Sequence, residues 1–241
     1  MRFNGVDLNT IHTAISRSHE FPPGMPRRSI ATVDGSAGET VVSVTASQEE
    51  YMVRVNIAGR SYQEAMEARD RLAAWAMSSG RSTAQLEPTH ARGRAYNAIF
   101  KSCSKLEKRF GTVDVVFMLP DGGVQHETTE RHVTGAGSVA MAAGGTAATW
   151  PDVLSLTMTD AAEEIAITLD GAPYVQLGGE FAAGDVVEIR PRSDAVMVNG
   201  EHAENRIVCT GTFTDRDILP GKHELAAQNA QITARWHNRW L

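Results

Sequence analysis

Metal-ligating and acid–base side chains crowd into one short segment near the middle of the chain, His126-Glu127-Thr128-Thr129-Glu130-Arg131-His132. On an extended strand, where side chains alternate between faces, His126, Glu130 and His132 share one side, and all three are zinc-ligand types. The helical two-histidine metalloprotease motif instead needs its second histidine four residues after the first, and position 130 is glutamate. Outward-turned polar residues on a sandwich strand account for the same pattern, so the segment reads as a solvated strand face.

Other constellations meet similar objections. Gly221-Lys222 suggests a phosphate loop, but His223 stands where serine or threonine is needed and the upstream glycine is missing, which leaves a turn followed by a strand. Glu49-Glu50 and Glu163-Glu164 are adjacent on extended chain, so the two carboxylates of each pair point to opposite faces and do not form an acid/base couple. No Gly-x-Ser-x-Gly elbow presents a serine nucleophile. Arg92, Arg94, Lys101, Lys105, Lys108 and Arg109 surround Tyr96 and Phe100, an interleaving that suits single-stranded nucleic acid. The run is dilute and contains Glu107, so it reads as a solvated or subunit-facing surface. The expectation is a protein that is not an enzyme, with no catalytic, cofactor-binding or metal residues, no cofactor, and its binding residues unassigned.

The chain has 241 residues, 42% of them apolar and 22% charged, which is ordinary globular composition. That length accommodates two cores of common size. No apolar run approaches the roughly 18 residues of a membrane span, and the start Met1-Arg2-Phe3-Asn4-Gly5 lacks a secretory pattern, so no membrane insertion and synthesis in a reducing cytoplasm are expected. Cys103 and Cys209 lack metal-ligand spacing and read as packed thiols. The formal net charge of −6 is uneven: residues 1–120 carry 15 Lys+Arg against 12 Asp+Glu, net +3, and residues 121–241 carry 8 against 17, net −9. Such an acidic second half repels phosphate, so no specific nucleic acid is expected there.

These residues must be positioned mainly by strands. Pro22-Pro23-Gly24 and Asp34-Gly35 punctuate the first 45 residues, and Val53, Val55 and Ile57 alternate along a strand that ends at Gly59. Ser61-Tyr62-Gln63-Glu64 is a capping box, followed at helical spacing by Ala65, Ala68, Leu72, Trp75 and Ala76, with Gly80 as the stop. The Trp75 stripe reads as core. Residues 91–109 suit either a helix or two strands. Val113, Val115, Phe117 and Leu119 alternate up to the Pro120-Asp121-Gly122-Gly123 turn, where the domain boundary is placed. Beyond it come short strands at Ile165–Leu169, Val187–Ile189 and Val196–Val198, with hairpin signals at Asp170-Gly171 and Asn199-Gly200, and Pro220-Gly221 dividing two later strands. Gly135 to Thr149 reads as a flexible linker or a hairpin, and no helix is expected after residue 125.

In that order the features resemble the distal tail protein (Dit) family of long-tailed siphophages over essentially the whole chain. The opening Phe3-Asn4-Gly5-Val6-Asp7-Leu8, the strand Val53 to Gly59, the helix to Met77 and the strand Val113 to Leu119 resemble the belt domain. Trp150-Pro151, Ile165 to Gly171, Phe181 to Asp185, Val196 to Gly200, Leu219 to His223 and the terminal Arg239-Trp240-Leu241 resemble the galectin-like module. The resemblance implies a mainly β protein: an N-terminal β-sandwich belt domain with one α-helix, residues 1–122, and a C-terminal galectin-like antiparallel β-sandwich, residues 123–241. It implies strands rather than a helix within 91–109. It further implies a structural virion protein at the tail tip, forming a hexameric ring that connects the tail tube protein to a tail-tip hub protein and a receptor-binding protein. The alternative is a carbohydrate-binding module of the tail tip.

Overall fold

The computed structural model describes residues 1–22, 27–32, 39–45, 49–106, 108–208 and 217–241. It divides into two compact units, Met1–Gln125 together with Leu241, and His126–Trp240.

The first unit runs β1 (Arg2–Phe3), β2 (Val6–Asp7), β3 (Ile15–Phe21), β4 (Arg27–Thr32), β5 (Glu39–Thr45), β6 (Glu49–Ala58), α1 (Tyr62–Ala76), β7 (Ala84–Glu87), β8 (Arg94–Cys103) and β9 (Phe110–Leu119). Seven of these strands form an antiparallel sheet in the order β2-β1-β7-β8-β9-β6-β3, while β4 and β5 pair with each other. Phe3 and Phe117 stand three strands apart, roughly 14 Å in a flat sheet, yet their rings are 4.7 Å apart. The sheet therefore curls over its own core. Trp75 of α1 closes that core edge-on to both rings, and its indole N–H donates to the Val6 carbonyl at 3.0 Å. Val53, Val55 and Ile57 face Val113 and Val115 in the same interior, as their alternation requires.

Helix α1 forms where the capping residues predict, and Ala65, Ala68, Leu72, Trp75 and Ala76 are its buried face. The Ser61 hydroxyl accepts from the Glu64 amide at 3.1 Å, but the Glu64 carboxylate accepts from Arg60, one residue upstream of the expected donor. The stop also differs. Met77 caps the helix, and Gly80, with φ +63°, shapes the turn beyond it. The ambiguous 91–109 stretch contains one strand, β8, whose backbone pairs with β7 through Tyr96 to Ala98 and with β9 through Ile99 to Cys103.

The second unit runs β10 (Gln125–Glu127), β11 (Arg131–Ala143), β12 (Pro151–Met158), β13 (Ala162–Leu169), β14 (Ala172–Phe181), β15 (Val186–Arg190), β16 (Ala195–Val198), β17 (Glu201–His202), β18 (Gly221–Trp236) and β19 (Arg239–Trp240). Sheet order is β14-β13-β18-β12-β15-β16-β17, with β11 along the other side of β18. Strand β18 organises the unit: its first half pairs with β13, through Leu225 to Ala227, and its second half with β12, through Ala230 to Trp236. A strand that changes partner in this way makes the corner of a sandwich. Buried Val139, Met141, Leu154, Leu156, Ile165, Ile167, Leu177 and Ile232 form the core between the resulting layers.

Two-residue turns fall at both hairpin signals. Asp170 and Gly171 (φ +51° and +79°), and Asn199 and Gly200 (φ +53° and +83°), adopt the left-handed conformations that suit the twist of paired strands. Neither reading of 135–149, linker or local hairpin, holds. Through Ala143 the segment is β11, paired register by register with β18, so its glycines and alanines hid a strand whose partner supplies the hydrogen bonds. Past Ala143 the chain turns at Gly144-Gly145, where a Cβ on Gly145 would lie 1.8 Å from the Arg239 carbonyl oxygen. Pro220 immediately precedes β18, and the chain before it at 209–216, with Cys209, lies outside the described residues. Among the described residues after 125 the helical elements are two short 3-10 turns, Pro191–Ser193 and Glu204–Arg206.

Candidate functional site

The His126 to His132 segment is not one strand. A bend at Thr128-Thr129 separates β10 from β11, which turns His126 inward, nearly buried, with its ring edge-on to His237 at 6.3 Å. Glu130 and His132 are exposed, His132 opposite Arg235 on β18. The expected shared and solvated face is therefore corrected: the bend takes His126 out of register with the other two. Glu127 is a structural anchor. It accepts two bonds from the Arg131 guanidinium, at 2.6 and 3.0 Å, and one from the Asn238 amide at 2.9 Å. Arg131 holds its carboxyl below the usual carboxylate range. Among the described residues no group of three His, Cys, Asp or Glu is arranged to hold a metal ion.

His223 lies near the start of β18, and both of its ring nitrogens have a partner. Its Nδ1 lies 2.7 Å from Asp170 and its Nε2 lies 2.8 Å from the Leu219 carbonyl. Glu50 pairs with Lys101, and the side chain of Glu49 lies outside the described residues. In the basic stretch Tyr96 is buried against Tyr51, ring centroids 5.3 Å apart, and Phe100 packs on the core. The aromatic rings that would have stacked on bases are thus spent inside the sheet. Cys103 is free and partly buried, packs on the first core, and has its thiol pushed up by burial.

One concave feature of the second unit escaped the sequence reading. Where β18 leaves β13 for β12, a cleft of 710 Å³ opens between Ala162, Glu163, Glu164, Ala166 and Thr168 of β13 and Ala226 to Asn229 of β18, with Gly137 of β11 on its wall. Two irregularities make it. The β11–β18 register jumps from Ala136↔Gln231 to Ser138↔Ala226, and Asn229 takes a left-handed φ of +56°. The sequence does carry a signal for this corner. Buried residues of β18 fall on odd positions at Leu225 and Ala227, then on even ones at Ala230, Ile232, Ala234 and Trp236, and that slip of phase marks a bulge.

Residues 144–240 match the family model of the siphovirus-type tail component, C-terminal domain. Comparison with curated proteins finds no match. Among solved structures, the Dit protein of phage SPP1, described as a paradigm of the hub adsorption apparatus in phages infecting Gram-positive bacteria, superposes with a TM-score of 0.78 at 14% identity. That alignment covers 100% of this chain and 98% of the other. A chain of the phage P2 baseplate in its activated conformation covers 91% and 90% at 10% identity, with a TM-score of 0.44. Residues 144–240 thus carry the C-terminal domain of the siphovirus-type tail component, and the fold of SPP1 Dit runs through the whole length of the chain.

Proposed function

We propose that this structural component of the phage tail tip acts as a ring subunit, six copies closing around an axis to join the tail tube protein to a hub protein and a receptor-binding protein. In this reading the ring-forming belt is residues 1–122 and the galectin-like domain is residues 123–241. The match of residues 144–240 to the tail-component family carries the tail assignment.

Self-association is supported by the edges of the first unit. Its sheet ends at β3, which pairs with β6 on one side, and β4 and β5 pair only with each other among the described residues. An open edge offers unpaired amides and carbonyls, and an isolated hairpin is marginal in water, so both gain from a neighbouring copy. Phe21 at the end of β3, with Tyr62 and Phe110, adds exposed apolar surface on the same unit. In a closed ring each patch meets a different patch on the next copy, and a stable contact buries about 1,000 Å² or more.

Native mass spectrometry of the purified chain tests this reading. The expected species has six times the 26.1 kDa chain mass. A protein that remains monomeric at high concentration, and that shows no ring when tail tips are imaged, overturns it.

A further inference from the structure

We propose that the cleft beside the β18 corner receives an extended, lysine- or arginine-bearing segment of a partner tail protein, added as a strand to the open edge of β13. The edge is defined by pairing. Along one side β13 bonds to β14 from Ala162 to Leu169, but along the other it bonds to β18 only at Ile167, Thr168 and Leu169. From Ala162 to Ala166 the second side faces the cleft with no strand partner among the described residues. A strand added there needs about 4.8 Å between backbones and roughly 3.3 Å of length per residue.

The lining suits such a guest. Ala162, Ala166, Ala226, Ala227 and Gly137 keep the walls low, so a backbone can approach within hydrogen-bonding distance. Gln228 and Asn229 are exposed at the corner, where their amides can serve the guest's outer groups. Glu163 and Glu164 are exposed beside the edge, in a half of the chain with a formal net charge of −9. Because they alternate along β13, one carboxylate stands on each side of the strand plane, which matches a guest carrying cations on successive residues. No aromatic side chain lines the cleft, so a sugar ring finds no face to stack on, and a peptide is the better-fitting guest. Main-chain pairing supplies affinity in this mode and the side chains supply selectivity.

The test selects random ten-residue peptides against the full-length chain and maps the binders by hydrogen exchange. Peptides enriched in lysine or arginine among β-branched residues are expected, with slowed exchange at the amides of 162–166. Affinity should drop about tenfold or more in the double variant Glu163→Lys/Glu164→Lys, and should fall likewise when alternate peptide amides are N-methylated. Recovery of no binder, protection elsewhere in the chain, or equal binding to the double variant overturns the proposal. So does glycan binding, or concentration-dependent self-association, that the same double variant abolishes, since the cleft would then belong to a sugar or to a second copy. Ring mass is read separately, so failure here leaves the ring assignment untouched.

Discussion

Glu20 shows how single side chains tie the first unit together. It accepts from the Thr89 hydroxyl at 2.6 Å, from the Thr89 amide at 3.1 Å and from the Tyr51 hydroxyl at 2.8 Å, with His90 Nδ1 at 3.3 Å. Burial pushes its carboxyl up, but the hydrogen bonds from Thr89, Tyr51 and His90 outweigh that and leave it below the ordinary glutamate value. The ionised form therefore stabilises the fold above the unfolded pKa, and that contribution is lost as pH falls through the lower folded value. Glu20→Gln should cost about 2 kcal/mol in urea denaturation at neutral pH, with the gap to wild type narrowing in acid; a gap independent of pH would show that the charge is not its source. At His223 the sign reverses. Asp170 raises its pKa and, with Leu219, gives both ring nitrogens an acceptor, so the imidazolium form uses both donors. Its stabilising contribution is complete below the ordinary histidine value and fades as pH rises through the folded value. An NMR titration should find His223 above that ordinary value in the native chain and nearer to it in Asp170→Asn.

At the scale of elements, local signals succeeded where one segment contains its own answer. The capping serine and helical spacing delimit α1, and Ser61→Ala should cost about 1 kcal/mol by chemical denaturation without changing the core. The hairpin turns at Asp170-Gly171 and Asn199-Gly200 are equally local, since the left-handed φ is a property of two residues. Strand β11 is the counterexample. Its glycines and alanines have poor β-propensity, and what makes it a strand is the length of β18 beside it, remote in sequence. The turn that follows is stricter than any propensity. Gly145→Ala would drive a methyl into the Arg239 carbonyl at a positive φ, so it should destabilise the second unit by about 2 kcal/mol or more, read as a lowered denaturation midpoint. A variant as stable as wild type would mean that the corner relaxes.

For the whole molecule, assembly is the property to perturb. Phe21 is partly exposed at the end of β3 and stacks under Arg54, so Phe21→Lys removes apolar surface and places two cations together without opening the core. If the proposed ring closes through β3, the variant should keep its circular dichroism spectrum and sediment as a smaller species than wild type; an unchanged mass would move the interface away from β3. What the sequence by itself determined were those features that period and turn chemistry encode: a mainly β chain, one capped helix with its buried stripe, two hairpin turns, and the acidic bias of the second half. The tertiary structure alone decided that His126 is parted from Glu130 and His132, that Tyr96 and Phe100 face inward, that the Gly-Ala stretch is a strand, and that a cleft opens beside β13. The first follows from the bend at Thr128-Thr129, and the other three share one physical reason. Each depends on which strands lie side by side, and strand pairing joins residues far apart in the chain, whereas the alternation of side chains shows only that a strand has two faces and not what will cover them.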